Sequence, residues 1–129
     1  MSEKFTVEII SPDRSIIKTN ATEVTLPSYE GEMGILKDHV PFITFLRPGL
    51  IKILDQTDNV FYLEEGTVEF ADNNLLILTS TAKKLSEIDK NFLENLLIDS
   101  EKKIKDDKFS DKEKYLLSYK IETLKNISL

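Results

Sequence analysis

His39 is the single histidine of a 129-residue chain, and acidic side chains stand close to it: Asp38 beside it, Glu30 and Glu32 a short way upstream. An imidazole paired with a carboxylate can do general acid–base work near neutral pH. The same acids, Glu30-x-Glu32 with Asp38 beyond, offer hard oxygen ligands to a divalent cation. Neither chemistry is completed by the rest of the chain. Nothing supplies a nucleophile together with a base and an orienting third group. The acids lack the dense, regular spacing of a calcium loop, so solvated charge is the better account. No G-x-x-x-x-G-K-[ST] occurs, and the G-x-x-G at Gly31 and Gly34 cradles nothing by itself. With no cysteine anywhere, thiolate metal sites, cysteine nucleophiles and disulfides are excluded. The sequence offers no catalytic residue, no metal site and no cofactor site.

The stretch that holds His39 is unusual for another reason. "EGEMGILKDHVPFITFLRPG", Glu30 to Gly49, contains three of the four glycines and two of the four prolines. Gly31 and Gly34 permit positive φ or close backbone approach. Pro27, Pro41 and Pro48 fix φ and restrict the residues before them. The reading that follows is mechanical: a stiff loop between strands, exposing Met33 beside glutamates as a docking surface.

The elements around that stretch fall into two halves. Up to about Lys84 the pattern has a period of two. "FTVEIIS" sets Phe5, Val7 and Ile9 against Thr6 and Glu8, and "ATEVTLP" sets Val24 and Leu26 against Glu23 and Thr25. "GLIKILDQ", "NVFYLEE", "GTVEFAD" and "NLLILTS" follow, separated by turn residues at Ser11-Pro12-Asp13, Asp55 to Asn59, Gly66 and Asp72-Asn73-Asn74. Short strands at this spacing predict an antiparallel β-sandwich or barrel.

Beyond Lys84 the period becomes helical. "SEID", Ser86 to Asp89, reads as a capping box, and Ile88, Phe92, Leu93, Leu96, Leu97 and Ile104 recur on one stripe. "SDKE", Ser110 to Glu113, repeats the cap before Leu117, Ile121 and Leu124. Two helices joined by a short polar break predict an antiparallel hairpin. The division is therefore a β unit over 1–84 and a helical hairpin over 85–129. The first half carries 8 Lys/Arg against 13 Asp/Glu; the second carries 9 Lys against 10 Asp/Glu. The helices are thus nearly neutral, and their stripes must pack on each other, on the β unit or on another protein.

Composition narrows the partner classes. A net charge of −6 and a pI near 4.9 argue against nucleic acid, whose phosphates call for a basic patch. No apolar run reaches the roughly 18 residues that span a bilayer, and the N-terminus has no signal-peptide pattern, which makes the cytoplasm the expected compartment.

The residues also resemble a known family. "LPSYEGEMGILKDHVPFITFLRPGLIKI", Leu26 to Ile53, is similar to the signature of the ε subunit of F-type ATP synthases, called δ in mitochondria: a Glu-Gly-Glu-Leu/Met-Gly-Ile run, a His-x-Pro, and a Pro-Gly that opens the next strand. "FTVEIISPDR" and "YLEEGTVEFADNNLLILTSTA" match as well. The resemblance implies a non-catalytic rotor component of the central stalk, coupling proton translocation to ATP synthesis. It implies a c-ring contact through Glu30, Gly31, Glu32, Met33 and Gly34, and γ-subunit contacts at Ser11, His39 and Thr44. It also implies that the C-terminal hairpin can reach the catalytic α/β head and restrain hydrolysis, and that the protein sits peripherally on the cytoplasmic face of a bacterial inner membrane. Some members bind ATP through Ile/Leu-Asp-x-x-Arg-Ala; here "IDKNFL" puts Phe92 and Leu93 in place of Arg and Ala, so no nucleotide site is expected. The competing readings are a free-standing β-sandwich binding module with a helical tail, which would need exposed aromatics in a groove, and a small hydrolase built on His39.

Overall fold

Alternation of apolar and polar side chains produces the strands. In β1 (Phe5–Ile10), β6 (Gly49–Leu54), β8 (Gly66–Ala71) and the first four residues of β3 (Glu23–Ser28), more and less buried side chains alternate. The other strands are β2 (Ser15–Ala21), β4 (Gly31–Leu36), β5 (Phe42–Leu46), β7 (Asn59–Leu63), β9 (Asn74–Leu78) and the two-residue β10 (Lys83–Lys84). The computed structural model describes residues 3–55 and 59–127. The turn expected between Asp55 and Asn59 therefore lies partly outside the described residues.

The strands form one sheet in the order β10-β7-β6-β3-β5-β8-β9-β1-β2, with β4 on the free side of β3. A single pair, Ser28 with Leu46, joins β3 to β5. At that seam the sheet folds over, and side chains from both halves meet in one apolar cluster. Val24, Leu26, Ile51 and Phe61 come from one half, and Val7, Ile9, Phe70 and Ile77 from the other, all at most 2% exposed. This is the expected sandwich. Every pairing is antiparallel except β1 with β9, which runs parallel over Thr6–Ile10.

The stretch read as a stiff loop is mostly strand. Glu30 lies in the β3–β4 turn, Gly31–Leu36 is β4, and Phe42–Leu46 is β5. Gly31 has φ +125°, whereas Gly34 sits in ordinary strand geometry opposite Thr25. Met33 packs half-buried against the core instead of standing out, because strand alternation turns it to the same side as Ile35. Gly49 is needed for close approach: a Cβ there would come within 2.5 Å of the Pro27 Cβ.

After a 3₁₀ turn at Leu85–Glu87 come α1 (Lys90–Ile104) and α2 (Asp111–Asn126). The Ser86–Asp89 capping box does not form. Ser86 belongs to the 3₁₀ turn, and Asp89 itself is the N-cap, its carboxylate accepting the Phe92 N–H at 2.7 Å. The Ser110–Glu113 box is present in full: Ser110 Oγ accepts from Glu113 N–H at 3.1 Å, and Glu113 Oε1 accepts from Ser110 N–H at 3.0 Å. The hairpin lies on the outer face of β6 and β7. Tyr62, Ile88, Leu124 and Ile127 are buried there, with Leu50, Leu85, Phe92, Leu93, Leu96 and Leu97 around them.

Candidate partner interface

The β3–β4 hairpin builds the first candidate surface. Ser28 pairs with Gly31, so Tyr29 and Glu30 are its two-residue tip, and the positive φ at Gly31 is one that a side chain rarely adopts. Ser28 Oγ donates to the Gly31 carbonyl at 2.7 Å. Arg47 steadies the tip from behind: its backbone N–H donates to the Pro27 carbonyl at 2.9 Å and its Nε to the Ser28 carbonyl at 3.0 Å. Glu30, Glu32 and Gly34 are exposed, Gly31 and Met33 half-buried. Charged carboxylates on a braced tip suit docking onto a polar partner, since rim charges guide association while adding little to folding.

The second surface is the outer face of β5, β8, β9 and β1. On β5 the inward residues are Phe42, Thr44 and Leu46, while Ile43 is 77% exposed and Phe45 63%. Leu78 and Tyr29 are also exposed. Phe45, Leu78 and Tyr29 line one open groove with Ile10, Ser11 and Pro12. An exposed apolar surface of this kind is a candidate docking surface.

The structure brings Ser11 to this groove, where the end of β1 meets the tip residue Tyr29. Thr44, paired with Val68, lies on the core-facing side of the same strand. His39 is toward the other end of β5, half-buried, with its ring edge-on to Phe42 (5.3 Å) and Phe70 (6.0 Å). Its Nδ1 lies 2.8 Å from the Val40 carbonyl, which makes Nδ1 the donor. The neighbouring carboxylate does not reach it: Asp38 Oδ1 accepts from Asn73 Nδ2 at 2.9 Å. The acid–base pair conceivable from the sequence is not assembled. Among the described residues no three His, Asp or Glu side chains converge as metal ligands.

Ile43, Phe45, Leu78 and Tyr29 escape sequence reasoning. "FITFL" carries apolar residues in both phases of the strand, a pattern shared with strands buried on both faces.

Polar ties hold the hairpin against the sheet. Lys120, only 8% exposed, donates to Glu64 Oε1 at 2.9 Å. The Arg47 guanidinium lies 3.8 Å from the centre of the Tyr119 ring, and the Lys83 ammonium 3.9 Å from that of Phe92. Close to Glu64 is the Tyr62 hydroxyl, buried and, among the described residues, without a partner in good hydrogen-bond geometry. Burial, and then the Glu64 carboxylate, push its pKa up from the ordinary 10.0. Phe92 and Leu93, from the "IDKNFL" run, pack in this seam.

Residues 4–85 match the family described as ATP synthase, Delta/Epsilon chain, beta-sandwich domain. The chain is 45% identical over 130 residues to the ATP synthase epsilon chain of Pelagibacter ubique, covering 99% of this chain and 100% of that one. It is 33% identical to the epsilon chain of Dichelobacter nodosus, covering 81% of this chain and 75% of the other. Among solved structures, a chain of the Euglena gracilis mitochondrial ATP synthase superimposes with a TM-score of 0.75 at 21% identity, covering 95% of this chain and 78% of that one. A chain from the central stalk and c-ring of the Tetrahymena thermophila enzyme superimposes with a TM-score of 0.62 at 16% identity, covering 96% of each.

Proposed function

The chain belongs to the ATP synthase delta/epsilon family, as a non-catalytic subunit of the central stalk, and from that premise we propose how its two surfaces divide the work. The outer face of β5, β8, β9 and β1 receives the γ subunit, with Ser11, Thr44 and His39 in the strands and connections that shape it. The braced tip Glu30–Gly34 rests on the polar loops of the c-ring. Residues 1–84 carry assembly, and residues 85–129 form a separable regulatory hairpin that can reach the α/β head. As a peripheral subunit it lies on the cytoplasmic face of a bacterial inner membrane, carried there by the complex; no helix among the described residues is long and apolar enough to cross a membrane.

The observation that carries the γ assignment is the apolar pair Ile43 and Phe45, exposed on an otherwise regular strand. A folded monomer gains nothing from leaving two large side chains in water, whereas each contributes roughly 1.5–3 kcal/mol when a partner covers it. Phe45→Asp is expected to abolish co-purification with γ while the melting temperature of the isolated chain stays within a degree or two. A variant that melts much lower, or binds γ normally, overturns the assignment. For the division of labour, a chain truncated after Lys84 should remain folded and retain γ; unfolding or loss of γ places the hairpin in the structural core instead.

A further inference from the structure

Three non-glycine residues among those described have positive φ, and all three meet in one place: Asp38 (66°), Asp72 (51°) and Asn73 (59°). Asp38 is the third residue of the turn closed by His39 N–H to the Leu36 carbonyl at 3.1 Å, a position that glycine fills most easily. Asp72 and Asn73 form the two-residue turn between β8 and β9, where Ala71 pairs with Asn74, again a glycine-favouring place. Two of these residues, Asp38 and Asn73, are joined by reciprocal hydrogen bonds. Asp38 N–H donates to Asn73 Oδ1 at 2.7 Å, and Asn73 Nδ2 donates to Asp38 Oδ1 at 2.9 Å. The Asn73 carbonyl also accepts the Thr6 N–H of β1 at 3.0 Å.

We propose that this reciprocal Asp38–Asn73 clasp is a positioning device for the docking surface: it fixes the crossover from β4 to β5, and with it the conformation of His39, Val40 and Ile43. The crossover leaves one half of the sandwich and enters the other, and the clasp ties it laterally to the β8–β9 turn. His39 follows Asp38 directly and is packed on Phe42 and Phe70, while Val40 is 69% and Ile43 77% exposed. Backbone strain accepted in two turns in exchange for two hydrogen bonds between them indicates a geometry with a use beyond folding. The clasp holds the two exposed apolar side chains in one arrangement, which lowers the ordering cost when a partner covers them. The purpose assigned to it rests on the γ-docking reading above.

The bonds are polar and reciprocal, so they can be broken and rebuilt by exchange. Asp38→Gly relieves the turn strain but removes the side-chain acceptor; Asn73→Asp sets two carboxylates against each other; Asp38→Asn with Asn73→Asp restores the side-chain bond in reversed polarity and keeps the bond from the residue-38 backbone N–H to the residue-73 side-chain oxygen. Hydrogen exchange of the His39 amide in the isolated chain, and affinity for the cognate γ subunit, are measured for each. Asp38→Gly and Asn73→Asp are expected to speed His39 exchange at least tenfold without changing exchange at Val7 or Ile77, and to weaken γ binding about five- to tenfold. The double exchange should return both readings to within twofold of the parent. Failure of the double variant to restore His39 protection, or unchanged protection in both single variants, overturns the clasp. If the clasp variants lose protection but bind γ as the parent does, the surface they position is not the one γ uses. If the parent itself binds no γ, the docking reading fails, and the purpose of the clasp with it, while the exchange data still decide whether the clasp fixes the crossover.

Discussion

The interior of the sandwich and the seam beneath the hairpin are both apolar clusters, built on different terms. Sixteen buried apolar residues among those described, drawn from both halves of the sheet, make the first. The second has four buried residues, and around them an ion pair, two cations on aromatic rings and a hydroxyl without a well-formed hydrogen bond among the described residues. A core of the first kind is non-directional and strong in sum. A seam of the second kind gains less from burial and more from geometry, so it specifies one docked position and releases it at lower cost. If the hairpin parts from the sandwich as proposed, the difference puts the break at the seam and leaves the sandwich intact.

The largest blow to that contrast is a cavity in the sandwich. Phe70 is 1% exposed, edge-on to Phe5 and stacked with Phe42. Phe70→Ala should cost about 3–5 kcal/mol and lower protection throughout sheet and hairpin together, read by denaturant unfolding and hydrogen exchange. If the hairpin melts alone, the two regions are not ranked as described.

A smaller and local effect is expected at the ion pair. Lys120→Ala leaves Glu64 beside the Tyr62 hydroxyl; because the Glu64 side chain is 33% exposed, water moderates the loss to about 1–2 kcal/mol. Exchange in α1 and α2 should quicken while Val7, Ile51 and Ile77 keep their protection. Uniform loss of protection would merge the two regions into one.

The smallest change carries the opposite sign. Tyr62→Phe removes a buried hydroxyl that has no well-formed hydrogen bond among the described residues, and should leave stability unchanged or raise it by up to about 1 kcal/mol. The pH dependence sharpens this. The folded-state pKa of Tyr62 lies above its unfolded value, so folding favours the neutral phenol. Its contribution is complete below the unfolded value of 10.0 and declines as pH rises from there toward the folded value. The parent should therefore lose seam stability above about pH 10, and Tyr62→Phe should lose less over the same range, measured by hairpin-specific exchange or urea midpoints.

Much of this was legible in the sequence, for definite reasons. Clean alternation in "FTVEIIS" and "GTVEFAD" gave strands whose inward residues are the buried ones. Of the helical stripes, Ile88, Phe92, Leu93, Leu96, Leu97 and Leu124 enter the seam. Strands β2 and β5 were obscured because "SIIKTNA" and "FITFL" carry apolar residues in both phases, and β4 because two glycines in "GEMGIL" read as loop. Helix α1 starts one cap later than Ser86 suggests, since the 3₁₀ turn consumes that serine and leaves Asp89 in extended geometry to receive the first free amides. The tip Glu30–Gly34 was recognisable as a motif; the apolar face beside it became visible only when pairing showed which phase of β5 points outward. The Asp38–Asn73 clasp joins residues 35 positions apart, beyond the reach of local pattern.

The parallel pairing of β1 with β9 has a consequence for synthesis. Phe5–Ile10 leaves the ribosome well before its partner Asn74–Leu78 is made. At roughly 5–20 residues per second, the nascent chain spends on the order of several seconds with one edge of β1 uncovered, paired only through the β1–β2 hairpin. Glu8 and Lys18, facing each other across that hairpin, keep charge on the early ribbon and discourage its joining another chain during the wait.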